Sequence, residues 1–179
     1  MSSSPTQAGI GAATFPPTDR SQLQIVGISE FKVSNDPNDV LVTYSLGSCI
    51  GVTVHDPIAG VGGLIHCMLP LSKGAREGSA PKPAMFVDTG VILLLNAVFD
   101  LGATRQNLVV KVAGAGSPMD QCNRFRIGER NIVILRKILW KNELMLAGEH
   151  TGGTRPKTVF LSIATGQAVV RTPEEQTNL

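Results

Sequence analysis

The sequence predicts one domain of mixed α/β (α+β) class, and three observations carry that prediction. The chain has 179 residues, a length that suits a single core. It is 42% hydrophobic but only 4% aromatic, so Val, Ile, Leu and Ala must fill that core, and its 19 Gly and 11 Pro imply many turns. Short segments of alternating apolar residues are interspersed with two longer stretches of helical periodicity.

Residues 1–21 lack the apolar side chains that would offset ordering entropy and are expected to form a flexible arm ahead of a domain spanning 22–172. Leu23 to Val33 alternates imperfectly and predicts one strand with a bulge near Gly27. Asn35-Asp36-Pro37-Asn38-Asp39 is a turn. Val40–Tyr44, Ile50–His55 and Gly62–Leu69 predict strands, the second closed by Asp56-Pro57 and the third by Pro70. Leu71 to Pro83 is polar, carries Lys73, Arg76 and Lys82, and predicts a mobile surface loop. Val91, Leu94, Leu95, Val98 and Leu101 recur at helical steps within Asp88–Leu101, stopped by Gly102. Leu108–Ala113 predicts a buried strand, followed by the close-packed turn Gly114-Ala115-Gly116. Gly128–Asn142 predicts a second helix with Ile132, Leu135, Ile138 and Leu139 on one face. Leu144–Ala147, Thr158–Ile163 and Gln167–Arg171 predict the last strands, the final two joined at Ala164-Thr165-Gly166, and 173–179 is expected to be a polar tail.

Composition narrows the function. A formal net charge of +2 with no basic run or stripe argues against nucleic acid. The longest apolar run, Val91–Val98, is too short to span a bilayer, and the first residues do not have the pattern of a secretory signal. Three cysteines without a disulfide spacing fit free thiols in a reducing compartment, so a cytoplasmic protein is expected.

Chemistry concentrates at Thr43-Tyr44-Ser45-Leu46-Gly47-Ser48-Cys49 and at Gly62-Gly63-Leu64-Ile65-His66-Cys67-Met68-Leu69-Pro70. A thiol becomes a good nucleophile when an imidazole or backbone N–H groups favour its ionised form. Cys49 is the candidate nucleophile and His66 the candidate base and acid; Thr43 could hold the second ring nitrogen of the histidine. The small residues Gly47 and Ser48 leave room for a carbonyl and could supply oxyanion-hole N–H groups. The competing reading is that Cys49 is an inert core thiol. Cys67, one residue from His66 on a strand, should face the opposite side and belong to the core, and Cys122 is expected to be structural. His55 reads as a solvated turn residue and His150, beside Gly152-Gly153, as part of a surface loop or the lining of a cleft. A zinc site built from the cysteines and histidines would lack any Cys-x-x-Cys pair, and neither metal nor cofactor is expected.

The strings Leu46–Val52, Asp56-Pro57 and Gly62–Pro70, continued by Lys111–Ala115, Met119, Ile127-Gly128-Glu129-Arg130-Asn131, Gly152-Gly153 and the Gly166 turn, resemble the CheD family of bacterial chemotaxis proteins over roughly residues 24–171. The resemblance implies a β-sheet sandwich flanked by helices, related to the catalytic domain of cytotoxic necrotizing factor toxins. It implies a chemoreceptor glutamine deamidase whose Cys-His-Thr set falls on Cys49, His66 and Thr43. Its partners would be a methyl-accepting chemoreceptor as substrate and a CheC-type phosphatase, with the free protein a monomer. Lys73, Arg76 and Lys82 are then candidate contacts to acidic receptor residues. The alternative is an adaptor that binds receptor or CheC with weak or no catalysis.

Overall fold

A computed structural model of the chain describes residues 15–17, 21, 23–73, 82–117 and 126–179. Arg76, Met119 and Cys122 lie outside these residues.

Among the described residues, ten strands and two α-helices follow in chain order: β1 (Leu23–Ile25), β2 (Phe31–Ser34), β3 (Val40–Leu46), β4 (Ile50–Asp56), β5 (Val61–Cys67), α1 (Val87–Asp100), β6 (Val109–Gly114), α2 (Ile127–Lys141), β7 (Leu146–Thr151), β8 (Lys157–Ser162), β9 (Ala168–Arg171) and β10 (Gln176–Asn178). They build two five-stranded sheets, one in the order β1-β3-β8-β9-β10 and the other β2-β5-β4-β6-β7. Both are mixed: β1 runs parallel to β3 and β6 parallel to β7.

The sheets face each other across Leu41, Leu46, Leu64, Ala113, Val159, Leu161 and Val170. The far face of the second sheet packs its Ile50, Val52, Val54, Ile65 and Val112 against Val91, Leu94 and Val98 of α1 and Leu135 and Leu139 of α2. The result is a helix, sheet, sheet order of layers. Strands buried on both faces read as continuous apolar or small-residue runs, and every residue of β4 and β5 is buried. Glycines set the layer spacing. A Cβ on Gly51 would meet Leu46 at 2.8 Å on the inter-sheet side, and one on Gly63 would meet Leu94 at 2.7 Å on the helix side.

Two expectations need correction. Leu23–Val33 is two strands in different sheets, not one bulged strand. The chain turns at Gly27 to Glu30, where Ser29 has φ 60, and crosses from one sheet to the other. The polar stretch 173–179 carries β10, which pairs antiparallel with β9 and needs no apolar pattern because backbone bonds hold it on the sheet edge. Within the expected arm, the described Phe15 packs on the outer face of the first sheet against Val40, Val42 and Phe160. The predicted turn at Ala164–Gly166 does join the antiparallel pair β8–β9, with Gly166 at φ 68.

Candidate active site

Three strand ends converge on the inter-sheet space. Thr43 comes from β3, where it shares the inter-sheet face with the core residue Leu41 and is fully buried. The β3–β8 register then shifts between Thr43 and Leu46, and Ser45 takes φ 58. This bulge absorbs an extra residue and returns Leu46 to the core, so that the chain can turn through Gly47 and Ser48 to Cys49. His66 comes from β5 on the same face as Gly62 and Leu64, while Cys67 faces the helices, as strand alternation predicts.

The Thr43 Oγ1 lies 2.8 Å from the Nδ1 of His66 and 2.8 Å from the Val26 carbonyl oxygen. That carbonyl carries no proton, so the hydroxyl must donate to it and therefore accept from the imidazole. Proton bookkeeping thus assigns the hydrogen to Nδ1 and leaves a lone pair on Nε2. The Nε2 atom is buried and has no hydrogen-bond partner among the described residues. Burial also disfavours the imidazolium and lowers the His66 pKa to about 4, so the ring is neutral at neutral pH.

Cys49 enters the same space from the neighbouring strand. Gly51 is the direct register partner of His66, and Cys49 lies two residues from Gly51, hence on the same face and diagonal to the imidazole. It is partly buried against the inter-sheet core and makes no hydrogen bond to His66. Burial pushes its thiol pKa up, opposed only by its own backbone N–H. The resting pair is therefore a neutral thiol beside a neutral imidazole.

The turn is held by its carbonyls. Gly116 N–H donates to Gly47 O at 2.7 Å, Ala115 N–H to Cys49 O at 2.7 Å, and the Asn131 side-chain amide to Ser48 O at 3.0 Å. Gly114 has φ 104, and a Cβ there would lie 2.3 Å from Cys49 O, so only glycine lets β6 come this close. Among the described residues, no carbonyl outside the strand ladders accepts from the N–H groups of Gly47 or Ser48, and the Cys49 N–H is directed at its own sulfur. A further tier braces the turn from behind. Ser117 N–H donates to Gly153 O at 2.8 Å, and the buried Lys157 ammonium donates to Gly152 O.

The cationic candidates are spread along the connection after β5. Lys73 is exposed, next to Ser72, which is tied to the Asp88 carboxylate; Lys82 forms an exposed 3.8 Å ion pair with Glu30. The two other histidines depart from expectation. His55 is buried, and its Nε2 donates to Ile163 O at 2.9 Å, because Gly166 lets the β8–β9 turn close against the ring. His150 belongs to β7, within 3.7 Å of Glu175. Asn131 and the Val26 carbonyl were not among the sequence candidates. Asn131 had a legible signal, a polar residue on the stripe of α2 that carries Leu135 and Ile138.

Fold and site together define a two-sheet α/β protein that joins a hydroxyl to an imidazole in the inter-sheet space and sets a thiol on the same sheet face. The chain belongs to the CheD family: the family model described as CheD chemotactic sensory transduction matches residues 68–172. The "Probable chemoreceptor glutamine deamidase CheD 1" of Syntrophus aciditrophicus is 49% identical over 147 residues, covering 82% of this chain and 92% of that one. The "Probable chemoreceptor glutamine deamidase CheD" of Solibacter usitatus is 46% identical over 143 residues, covering 80% and 85%. Among solved structures, the C-terminal domain of CNFy from Yersinia pseudotuberculosis superposes with a TM-score of 0.39 at 9% identity, covering 88% of this chain and 60% of that one. That likeness is too low to carry a shared fold.

Proposed function

We propose that this chain is a protein-glutamine deamidase of the cytoplasm that converts glutamine side chains of methyl-accepting chemoreceptors to glutamate. The observation that carries the reading is the Thr43–His66 hydrogen bond, which leaves the Nε2 lone pair on the sheet face that also bears Cys49. Family membership supports the substrate class.

In this mechanism the Cys49 sulfur attacks the side-chain amide carbon while its proton passes to His66 Nε2. With the thiol pKa raised and the imidazole pKa lowered, proton transfer accompanies attack instead of preceding it as a stable ion pair. The oxyanion is met by the backbone N–H groups of Gly47 and Ser48 in the turn. His66 returns the proton to the departing nitrogen, ammonia leaves, and a γ-glutamyl thioester remains. Water, deprotonated by His66 Nε2, then attacks the thioester, and that proton passes to the departing Cys49 sulfur, giving glutamate and the restored thiol. Thr43 keeps the ring in the productive tautomer throughout.

The test is ammonia release, or a mass gain of about one dalton on a glutamine-bearing receptor fragment, from wild type against Cys49→Ala. The reading requires product from wild type alone. A second reading, an adaptor that binds receptor or a CheC-type phosphatase with little catalysis, is favoured by the protonated thiol and its lack of a bond to His66. Equal null results with receptor binding intact would select it.

A further inference from the structure

A side chain that this chemistry does not use lies beneath the nucleophile turn. Asn131 is fully buried on α2, on the core-facing stripe that also carries Gly128, Leu135 and Ile138. An apolar residue is the norm at such a position. Its Nδ2 donates to two carbonyls at once, Ser48 O at 3.0 Å and Met68 O at 3.2 Å. These two acceptors fix the amide's orientation, because the reversed amide would set its oxygen against both carbonyl oxygens. The Oδ1 that results is buried and has no partner among the described residues.

The location of the bridge is informative. The β4–β5 ladder ends at the pair Ile50–Cys67. Beyond it the strands part: Met68 N–H and Leu69 N–H both donate to Met85 O, at 2.8 and 3.0 Å, drawing the chain toward α1. The residues carrying the chemistry stand at this fork, Cys49 just before the ladder and His66 just inside it. The Asn131 amide spans the gap where the next rung would be. Its Oδ1 finds no partner among the described residues, and a buried polar atom without one is costly, so an apolar side chain of similar shape should be tolerated in the fold.

We propose that Asn131 is a positioning residue that sets the separation between the Cys49 turn and the strand bearing His66. It touches neither substrate nor reacting atoms; it acts through the two carbonyls. Its kinetic consequence rests on the deamidase reading, whereas its geometric consequence does not.

The experiment compares wild type with Asn131→Leu, with Asn131→Ala as a second variant. It measures thermal unfolding, kcat and KM for receptor-fragment deamidation, and the pH profile of Cys49 alkylation by iodoacetamide, followed on the Cys49 peptide by mass. The expected result is a folded Leu variant with unfolding temperature equal to or above wild type. Its kcat should fall by about tenfold or more with KM within about twofold, and the midpoint of its alkylation profile should move by about half a pH unit or more. Folded variants with unchanged alkylation profile and kcat would overturn the proposal, as would failure of both variants to fold, which would make the residue a stability element. If wild type itself releases no ammonia, the deamidase reading falls while the alkylation profile still judges the role of Asn131.

Discussion

Thr43 accepts a hydrogen bond from the Nδ1–H of His66 at 2.8 Å because its own hydroxyl proton is committed to the Val26 carbonyl. One hydroxyl thereby fixes an imidazole tautomer from 23 residues away in sequence. Val26 itself lies on the short connection between β1 and β2, so the crossing between sheets is part of the site's support.

Thr43→Val tests this relay with nearly unchanged shape. It leaves the His66 N–H and the Val26 carbonyl buried without partners, a destabilisation of about 2–3 kcal/mol. Deamidation should fall roughly 10–100-fold per folded molecule, since the ring is free to adopt the other tautomer. Urea unfolding and ammonia release measure the two effects; a variant with wild-type kcat would show that the hydroxyl has no orienting role.

His66 makes stability pH-dependent. Its folded pKa of about 4 lies below the ordinary 6.5, so the unfolded chain binds the proton more readily. The contribution is fully present above pH 6.5 and is lost as pH falls from 6.5 toward 4, at most about 3 kcal/mol in all. His66→Gln should flatten the stability curve across that window in denaturant titrations. An unchanged slope would place the titration elsewhere.

A second acid-sensitive point sits at the far end of the β4–β5 hairpin. Burial pushes the Asp56 carboxyl up, but hydrogen bonds from the backbone of Ala59, Thr104 and Ile58 and from the Thr104 hydroxyl outweigh it and hold the pKa below 3.8. Asp56→Asn should therefore cost about 1–3 kcal/mol at neutral pH. The difference from wild type should shrink as pH falls below 3.8, where wild type also loses the charge. A deficit that stays constant down to pH 2.5 would contradict the role of the charge.

Gly114→Ala probes the close approach of β6 to the nucleophile turn. The new Cβ would fall 2.3 Å from Cys49 O in a backbone of φ 104, so clash and conformational strain act together. A loss of about 3 kcal/mol or more is expected, with activity per folded molecule reduced because the displaced atom is the carbonyl of the nucleophile. Gly102→Ala is the control. It has φ 102 with nothing within 4 Å, so it should show the strain without the active-site effect.

Much of the fold was legible because it rests on local patterns. Helices α1 and α2 follow from three- and four-residue apolar spacing, and β3 to β5 from apolar runs bounded by turn residues. The prediction failed where a local pattern served two sheets. Leu23–Val33 alternates imperfectly, and nothing local records that its halves pair with β3 and β5 on opposite layers. His55 failed for a related reason. Its neighbours Asp56-Pro57 mark a turn, whereas its burial depends on Gly166 packing against the ring from the distant β8–β9 turn.

For the site, residue identity and spacing determined which groups are present: a thiol after a small-residue turn, an imidazole on an apolar strand and a hydroxyl on a third segment. Strand alternation also separated His66 from Cys67, because a period of two places neighbours on opposite faces. Only the tertiary structure decided which atoms meet. The register of Gly51 with His66, the bulge at Ser45 and the crossing at Val26 bring Thr43 onto Nδ1, and the parting of β4 from β5 calls for the Asn131 bridge. These are long-range pairings between backbones, and backbone hydrogen bonds are chemically the same for every residue, so the sequence carries no local mark of which partner each will find.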